Sequence, residues 1–109
     1  MEKEALTVTL LSEGDTLTAA LAGEIDHHSA ATAREAIDKA LFKHRPRALN
    51  IDLAKVDFMD SSGLGLVLGR AALCEELGAD VRLLNPSLRV RKIFAVAGLD
   101  RIENITLQS

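Results

Sequence analysis

Hydrophobic residues alternate at the start of the chain and then change period. Leu6, Val8 and Leu10 alternate with Thr7 and Thr9, the pattern of a half-buried strand, because successive strand side chains point to opposite faces. Ser12-Glu13-Gly14-Asp15 is a turn cluster, and Leu17, Ala19 and Leu21 alternate again, so the two runs read as a hairpin. From Ser29 the step becomes three and four residues, through Ala33, Ala36, Ile37, Ala40 and Leu41, which is the stripe of an amphipathic helix. His44-Arg45-Pro46 ends it, since proline cannot continue a helix and disfavours helical backbone in the residue before it. Leu49, Ile51 and Leu53 mark a third strand, and a second helix follows over about 62–77 with Gly78 as its C-terminal cap. Residues 81–84 form a short strand. Asn85-Pro86 then reads as N-cap and first helical position of a third helix that stops near Gly98, and residues 102–107 form a last strand.

The order β-β-α-β-α-β-α-β predicts an α/β fold, a mixed sheet with helices packed against it. Strand two, helix one and strand three make a crossover unit, so those strands run parallel and their C-terminal ends open on one edge of the sheet. The loop after strand two carries Glu24, Asp26, His27 and His28; the loop after strand three carries Asp57, Asp60 and Ser61. Two polar loops from distant sequence are thereby expected side by side, on the edge where α/β proteins place function.

Bulk properties narrow the class. The 109 residues suit one domain, here residues 1–109, with no repeats or linkers. A chain this long buries somewhat over ~60% of its unfolded surface. Hydrophobic residues make up 48% and the aromatics are three phenylalanines, so the core is aliphatic. The net charge of −3, with only Arg89, Arg91 and Lys92 as a short basic stretch, lacks a nucleic-acid footprint; that stretch reads as the solvated side of a helix. Cys74 has no second thiol for a disulfide or a metal site, which fits a reducing cytosol. The charged opening, Met1 to Ala5, lacks the apolar stretch of a signal peptide. No apolar run approaches the ~20 residues that span a bilayer.

The most informative segment runs from Val56 to Arg70, through Phe58-Met59-Asp60-Ser61-Ser62-Gly63-Leu64-Gly65. Ser61 or Ser62 reads first as an N-cap, worth roughly 1 kcal/mol. Gly63, Gly65 and Gly69 fall in the opening turns of one helix, each costing ~1 kcal/mol against alanine. Either something approaches this backbone closely, or the helix packs tightly on the sheet. On the wheel, Leu66, Val67, Leu73, Cys74 and Leu77 share a sheet-covering face, while Ser61, Leu64 and Leu68 align on another side with Ala71 and Glu75. That strip is a docking surface if it faces solvent, and is ordinary packing if a neighbouring helix covers it.

These residues resemble a known family. Phe58 to Gly65 is similar to the phosphorylation motif of the STAS-domain anti-sigma factor antagonists. Gly23-Glu24-Ile25-Asp26-His27-His28 and Lys92-Ile93-Phe94 with Gly98-Leu99 resemble, in the same order, segments of its sporulation branch, to which the likeness is strongest. The chain ends at Ser109, just after the last strand, where that branch carries a further C-terminal helix.

The resemblance implies a binding protein rather than an enzyme. The unphosphorylated form is expected to bind an anti-sigma factor that is also a serine kinase, freeing the sigma factor, and phosphorylation is expected to end the binding. A serine phosphatase resets the switch. ATP belongs to the kinase, so no cofactor is expected on this chain, and no direct nucleic-acid or membrane partner. By the motif, Ser61 takes the phosphate, with Ser62 as second choice; Asp26, Asp60, Ser62, Gly63, Leu64 and Leu68 form the partner surface. Asp26 reads equally as a cap of helix one. Phosphate on Ser61 would land beside Asp60, near Asp26 and Glu24, with the helix N-terminus stabilising it in the free protein.

Competing chemistries match poorly. His27 and His28 are adjacent and lack a third ligand at metal-like spacing, so no metal is expected. A nucleophile elbow needs Gly-x-Ser-x-Gly, where residues 59–63 read Met-Asp-Ser-Ser-Gly. A Walker A loop needs a lysine that neither Gly65 nor Gly69 has after it. Asp57 or Asp60 with Lys92 is a thin match to a phosphorelay receiver. The alternative within the fold is a STAS signalling scaffold or a ligand-binding module of another regulatory system.

Overall fold

The computed structural model describes residues 5–108; the charged opening before Ala5, and Ser109, lie outside them. The elements are β1 (Thr7–Glu13), β2 (Thr16–Ala22), α1 (His27–His44), β3 (Ala48–Lys55), α2 (Ser61–Glu76), β4 (Asp80–Leu84), α3 (Leu88–Ala97), a single 3-10 turn (Leu99–Arg101) and β5 (Ile105–Gln108). Among the described residues they form one five-stranded sheet in the order β1-β2-β3-β4-β5. β1 and β2 are the antiparallel hairpin, turning at Gly14, whose φ of 58° suits glycine. Every later pair is parallel.

One face of this sheet is covered and the other is open. Leu17, Ala19 and Leu21 of β2, Leu49, Ile51 and Leu53 of β3, Val81 and Leu83 of β4 and Ile105 of β5 are all buried. They alternate with the half-buried Thr18, Asn50 and Arg82 and the exposed Thr106, as the two-residue period requires. Ala33, Ile37 and Leu41 of α1, Leu66, Val67 and Cys74 of α2, and Val90 and Phe94 of α3 close the core. β1 is an edge strand: its core-side Val8 is half-buried and Leu10 is 37% exposed.

The helix ends depart from expectation in instructive ways. α1 begins at His27, two residues before Ser29, because Asp26 caps it: Ser29 N–H donates to the Asp26 carboxylate at 2.8 Å and the Ser29 hydroxyl accepts from Asp26 N–H at 3.0 Å. α3 begins after Pro86 rather than at it. Asn85 has a φ of 55°, while an N-cap needs extended backbone; Ser87 supplies that, and its hydroxyl accepts from Val90 N–H at 3.1 Å. Ala71, expected beside Leu68, is buried. β5 starts only at Ile105, because the 3-10 turn takes up the chain after Gly98.

Candidate functional site

The two polar loops do meet. Beyond the last paired residues of β2 and β3, Ile25 and Met59 form an isolated parallel bridge. Both side chains are buried, and they seal the floor beneath the loops. The next residue on each strand, Asp26 or Asp60, is an N-cap, and the one after it begins a helix. α1 and α2 therefore start side by side, each under an aspartate.

At α2 the cap settles the role of the serines. The Asp60 carboxylate accepts from Ser62 N–H at 2.8 Å and from Gly63 N–H at 3.4 Å. Neither Ser61 nor Ser62 is the cap; they are the first and second helical residues. Ser61 is exposed and Ser62 half-buried. The Asp60 carboxylate thus takes two of the N–H donors at this helix start, which leaves fewer of them for a phosphate.

The three glycines separate into two kinds. Gly63 is buried, and a Cβ there would stand 2.5 Å from the Met59 Cβ, so its smallness serves the sealed floor and not an exposed strip. At Gly65 and Gly69 an added Cβ meets nothing within 4 Å. Their missing side chains accommodate no part of this chain among the described residues. Gly65 lies four residues after Ser61 and Leu68 seven, which places all three on one exposed side of α2; Leu68 is 36% exposed. Leu64 is half-buried against the core and borders that strip. Phe58, in the loop before the helix, is 53% exposed.

Between the first turns of α1 and α2 lies an open groove of about 440 Å³, lined by His27, Arg34, Ser61, Ser62, Gly65 and Gly69 with Arg70 at depth. Arg70 is buried and its Nε lies 2.7 Å from the Asp38 carboxylate, tying α2 to α1. Burial pushes the Asp38 carboxyl up and the Arg70 guanidinium down from their ordinary values, and their mutual attraction opposes both shifts. Burial also pushes the Cys74 thiol, one turn beyond Arg70, up to about 11, so it stays a neutral core group. Among the described residues no three His, Cys, Asp or Glu side chains gather as a metal ligand set, and no helix is long and apolar enough to cross a membrane.

The STAS domain pattern matches residues 8–109. The chain belongs to the STAS family. Within that family it groups with the anti-sigma factor antagonists. It is 41% identical over 85 residues to the anti-sigma F factor antagonist of Lysinibacillus sphaericus, covering 78% of this chain and 73% of that protein. It is 35% identical over 89 residues to the anti-sigma-B factor antagonist of Bacillus subtilis, covering 82% and 80%. In three dimensions it superposes on the unphosphorylated anti-sigma factor antagonist SpoIIAA with a TM-score of 0.80 at 35% identity, covering 94% of this chain and 89% of the other. The phosphorylated form of SpoIIAA, a Bacillus cell fate determinant, gives 0.74 at 34% identity, covering 94% and 92%.

In this STAS domain the structure brings together Asp26, Asp60, Ser61 and Ser62 at one sheet edge and sets Leu68 along the helix from them. Not evident from the sequence were the placing of His27, Arg34 and Arg70 in one groove with the serines and the difference among the glycines. A signal for the first was present: His27, Arg34 and Asp38 recur at seven- and four-residue steps and so share a face of α1. That this face looks onto α2 is a property of the packing.

Proposed function

We propose that this STAS protein antagonises an anti-sigma factor that is also a serine kinase, that its unphosphorylated form binds through the exposed strip of α2, and that phosphorylation of Ser61 ends the binding. The observation that carries the reading is the exposed Ser61 hydroxyl at the first turn of α2, on the same side as the open Gly65 and the exposed Leu68. Its membership in a family whose relative SpoIIAA occurs in both phosphorylated and unphosphorylated forms supports it. ATP is the kinase's, and a serine phosphatase resets the switch. Asp26 and Asp60, each holding a helix start, shape the surface offered to the partner and the kinase.

The physics of release is local. A phosphate adds about −1.5 to −2 charge at neutral pH. On Ser61 it stands next to Asp60, whose carboxylate already occupies the helix N-terminus. Closing an interface over Leu68 and Gly65 strips water from that dianion, and burying an unpaired charge is strongly unfavourable. A hundredfold loss of affinity requires only ~2.7 kcal/mol. No refolding is needed.

The test is incubation with the anti-sigma factor of the same genome and ATP, followed by peptide mass spectrometry of wild type and Ser61→Ala. Phosphate is expected on Ser61 and absent from the alanine variant; phosphate retained by that variant removes Ser61 from its role. Ser61→Asp is expected to weaken binding at least tenfold while leaving the melting temperature nearly unchanged, because the cap is Asp60 and not Ser61.

A further inference from the structure

The groove between α1 and α2 has a charge character that the acidic loops around it conceal. Among the described residues, those lining it include His27, Arg34 and Arg70 with both serine hydroxyls, and no carboxylate. Arg70 is committed to Asp38 at 2.7 Å. Arg34 is exposed and, among the described residues, makes no hydrogen bond or salt bridge, although Asp38 one turn further along α1 attracts it and Arg70 repels it. It stands about 10 Å along α1 from His27, at 1.5 Å per residue. Helical side chains lean back toward the N-terminus, so Arg34 leans toward the end of the groove where Ser61 and Ser62 lie.

The alternatives for a phosphate on Ser61 are poor. The Ser62 and Gly63 N–H groups are taken by Asp60. Asp60 directly precedes Ser61, and Asp26, Glu24 and Asp57 are exposed in the same two loops. The groove, by contrast, has no carboxylate in its lining among the described residues, and beside Gly65 and Gly69 there is open space. From these placements, and resting on the phosphorylation of Ser61 proposed above, we infer that the groove is an intramolecular phosphoserine site, with the Arg34 guanidinium pairing with the phosphate and the His27 imidazole at its edge. Arginine suits the task because its planar fork bonds two phosphate oxygens at once. The same movement fills the depression beside Gly65, so the modified protein loses both the charge match and the shape that a partner meets.

The experiment uses full-length protein with phosphoserine inserted at position 61 during translation, so that no kinase is involved. Titration by phosphorus NMR follows the second ionisation of the phosphate in wild type, Arg34→Gln and Arg34→Lys. A nearby cation favours the dianion, so the wild-type phosphate should ionise about half a unit lower than in Arg34→Gln, with Arg34→Lys recovering part of the difference. The Arg34 side-chain N–H resonance should move on phosphorylation while that of Arg89 on α3 stays. Equal ionisation in wild type and Arg34→Gln, or an unmoved Arg34 resonance, overturns the inference. Should Arg34→Gln fail to fold, the resonance in the phosphorylated wild type decides alone. A kinase that ignores Ser61 refutes the proposed function and leaves these readouts intact, so the two failures are distinguishable.

Discussion

Alanine at Gly63, Gly65 and Gly69 should have opposite effects on stability, although the three positions share one helix. At Gly65 the new methyl meets nothing within 4 Å, so no packing penalty opposes the gain in helix propensity of up to ~1 kcal/mol. Gly65→Ala should therefore stabilise the protein by about 0.5–1 kcal/mol, raising the melting temperature by roughly 2–5 °C for a domain of this size. Gly69→Ala should do the same. At Gly63 the methyl would lie 2.5 Å from the Met59 Cβ and 3.3 Å from its Cγ and Sδ, where carbon atoms rest at about 3.5–4.0 Å. Met59 cannot swing aside, because its Cβ is fixed to backbone bridged to Ile25 and its side chain is buried. Overpacking of this kind costs typically 1–3 kcal/mol, so Gly63→Ala should lose roughly 1–2 kcal/mol net of its propensity gain. Urea unfolding of the three single variants, followed by far-UV circular dichroism, measures the sign directly. Partner affinity adds a second reading: Gly65→Ala should bind more weakly while being more stable. Were Gly65→Ala as damaging as Gly63→Ala, the space beside α2 would be filled by the protein itself, and the groove and docking strip would both be refuted.

Two further predictions concern the polar core. Arg70→Ala leaves the Asp38 carboxylate with only the exposed Arg34 to oppose its charge; breaking a buried pair costs about 3–5 kcal/mol, and because Asp38 keeps 27% of its side chain in water the loss should fall nearer about 2 kcal/mol. Replacing both residues, as Asp38→Leu with Arg70→Met, should restore much of that, and a double-mutant cycle showing strictly additive effects would deny the pair any coupling. Cys74 makes stability fall in alkali: its folded thiol ionises near 11, above the unfolded value, so between about pH 9 and 11 the unfolded chain sheds a proton that the native state keeps. Wild type should lose on the order of 2 kcal/mol relative to Cys74→Ala across that window, and parallel stability profiles for the two proteins would contradict it.

Much of the fold was legible in the order of residues. Alternation in β2 and β3 and the three-and-four stripe of α1 fix a crossover unit, and the handedness and parallel pairing of such units put residues 24–28 and 57–61 on one sheet edge. Ser61, seven residues before Leu68, was placed on the same side of α2 by helical spacing alone. These features are periodic and local, and backbone geometry determines them.

What tertiary structure decided were choices among neighbours of similar propensity. Asp60, Ser61 and Ser62 can each cap a helix, and so can Asn85 and Ser87; the winner depends on which residue the preceding strand delivers in extended backbone, which is Asp60 beyond the Ile25–Met59 bridge and Ser87 beyond the left-handed Asn85. Gly63 and Gly65 have equal intrinsic cost, and only the position of Met59 separates the one the fold requires from the one it leaves open. The Arg70–Asp38 pair and the groove that Arg34 shares with the serines join segments more than twenty-five residues apart. Charge along a chain sums to −3 whatever its folding, but the sign of the field at one hydroxyl depends on which side chains converge there, and that is set by how two helices pack.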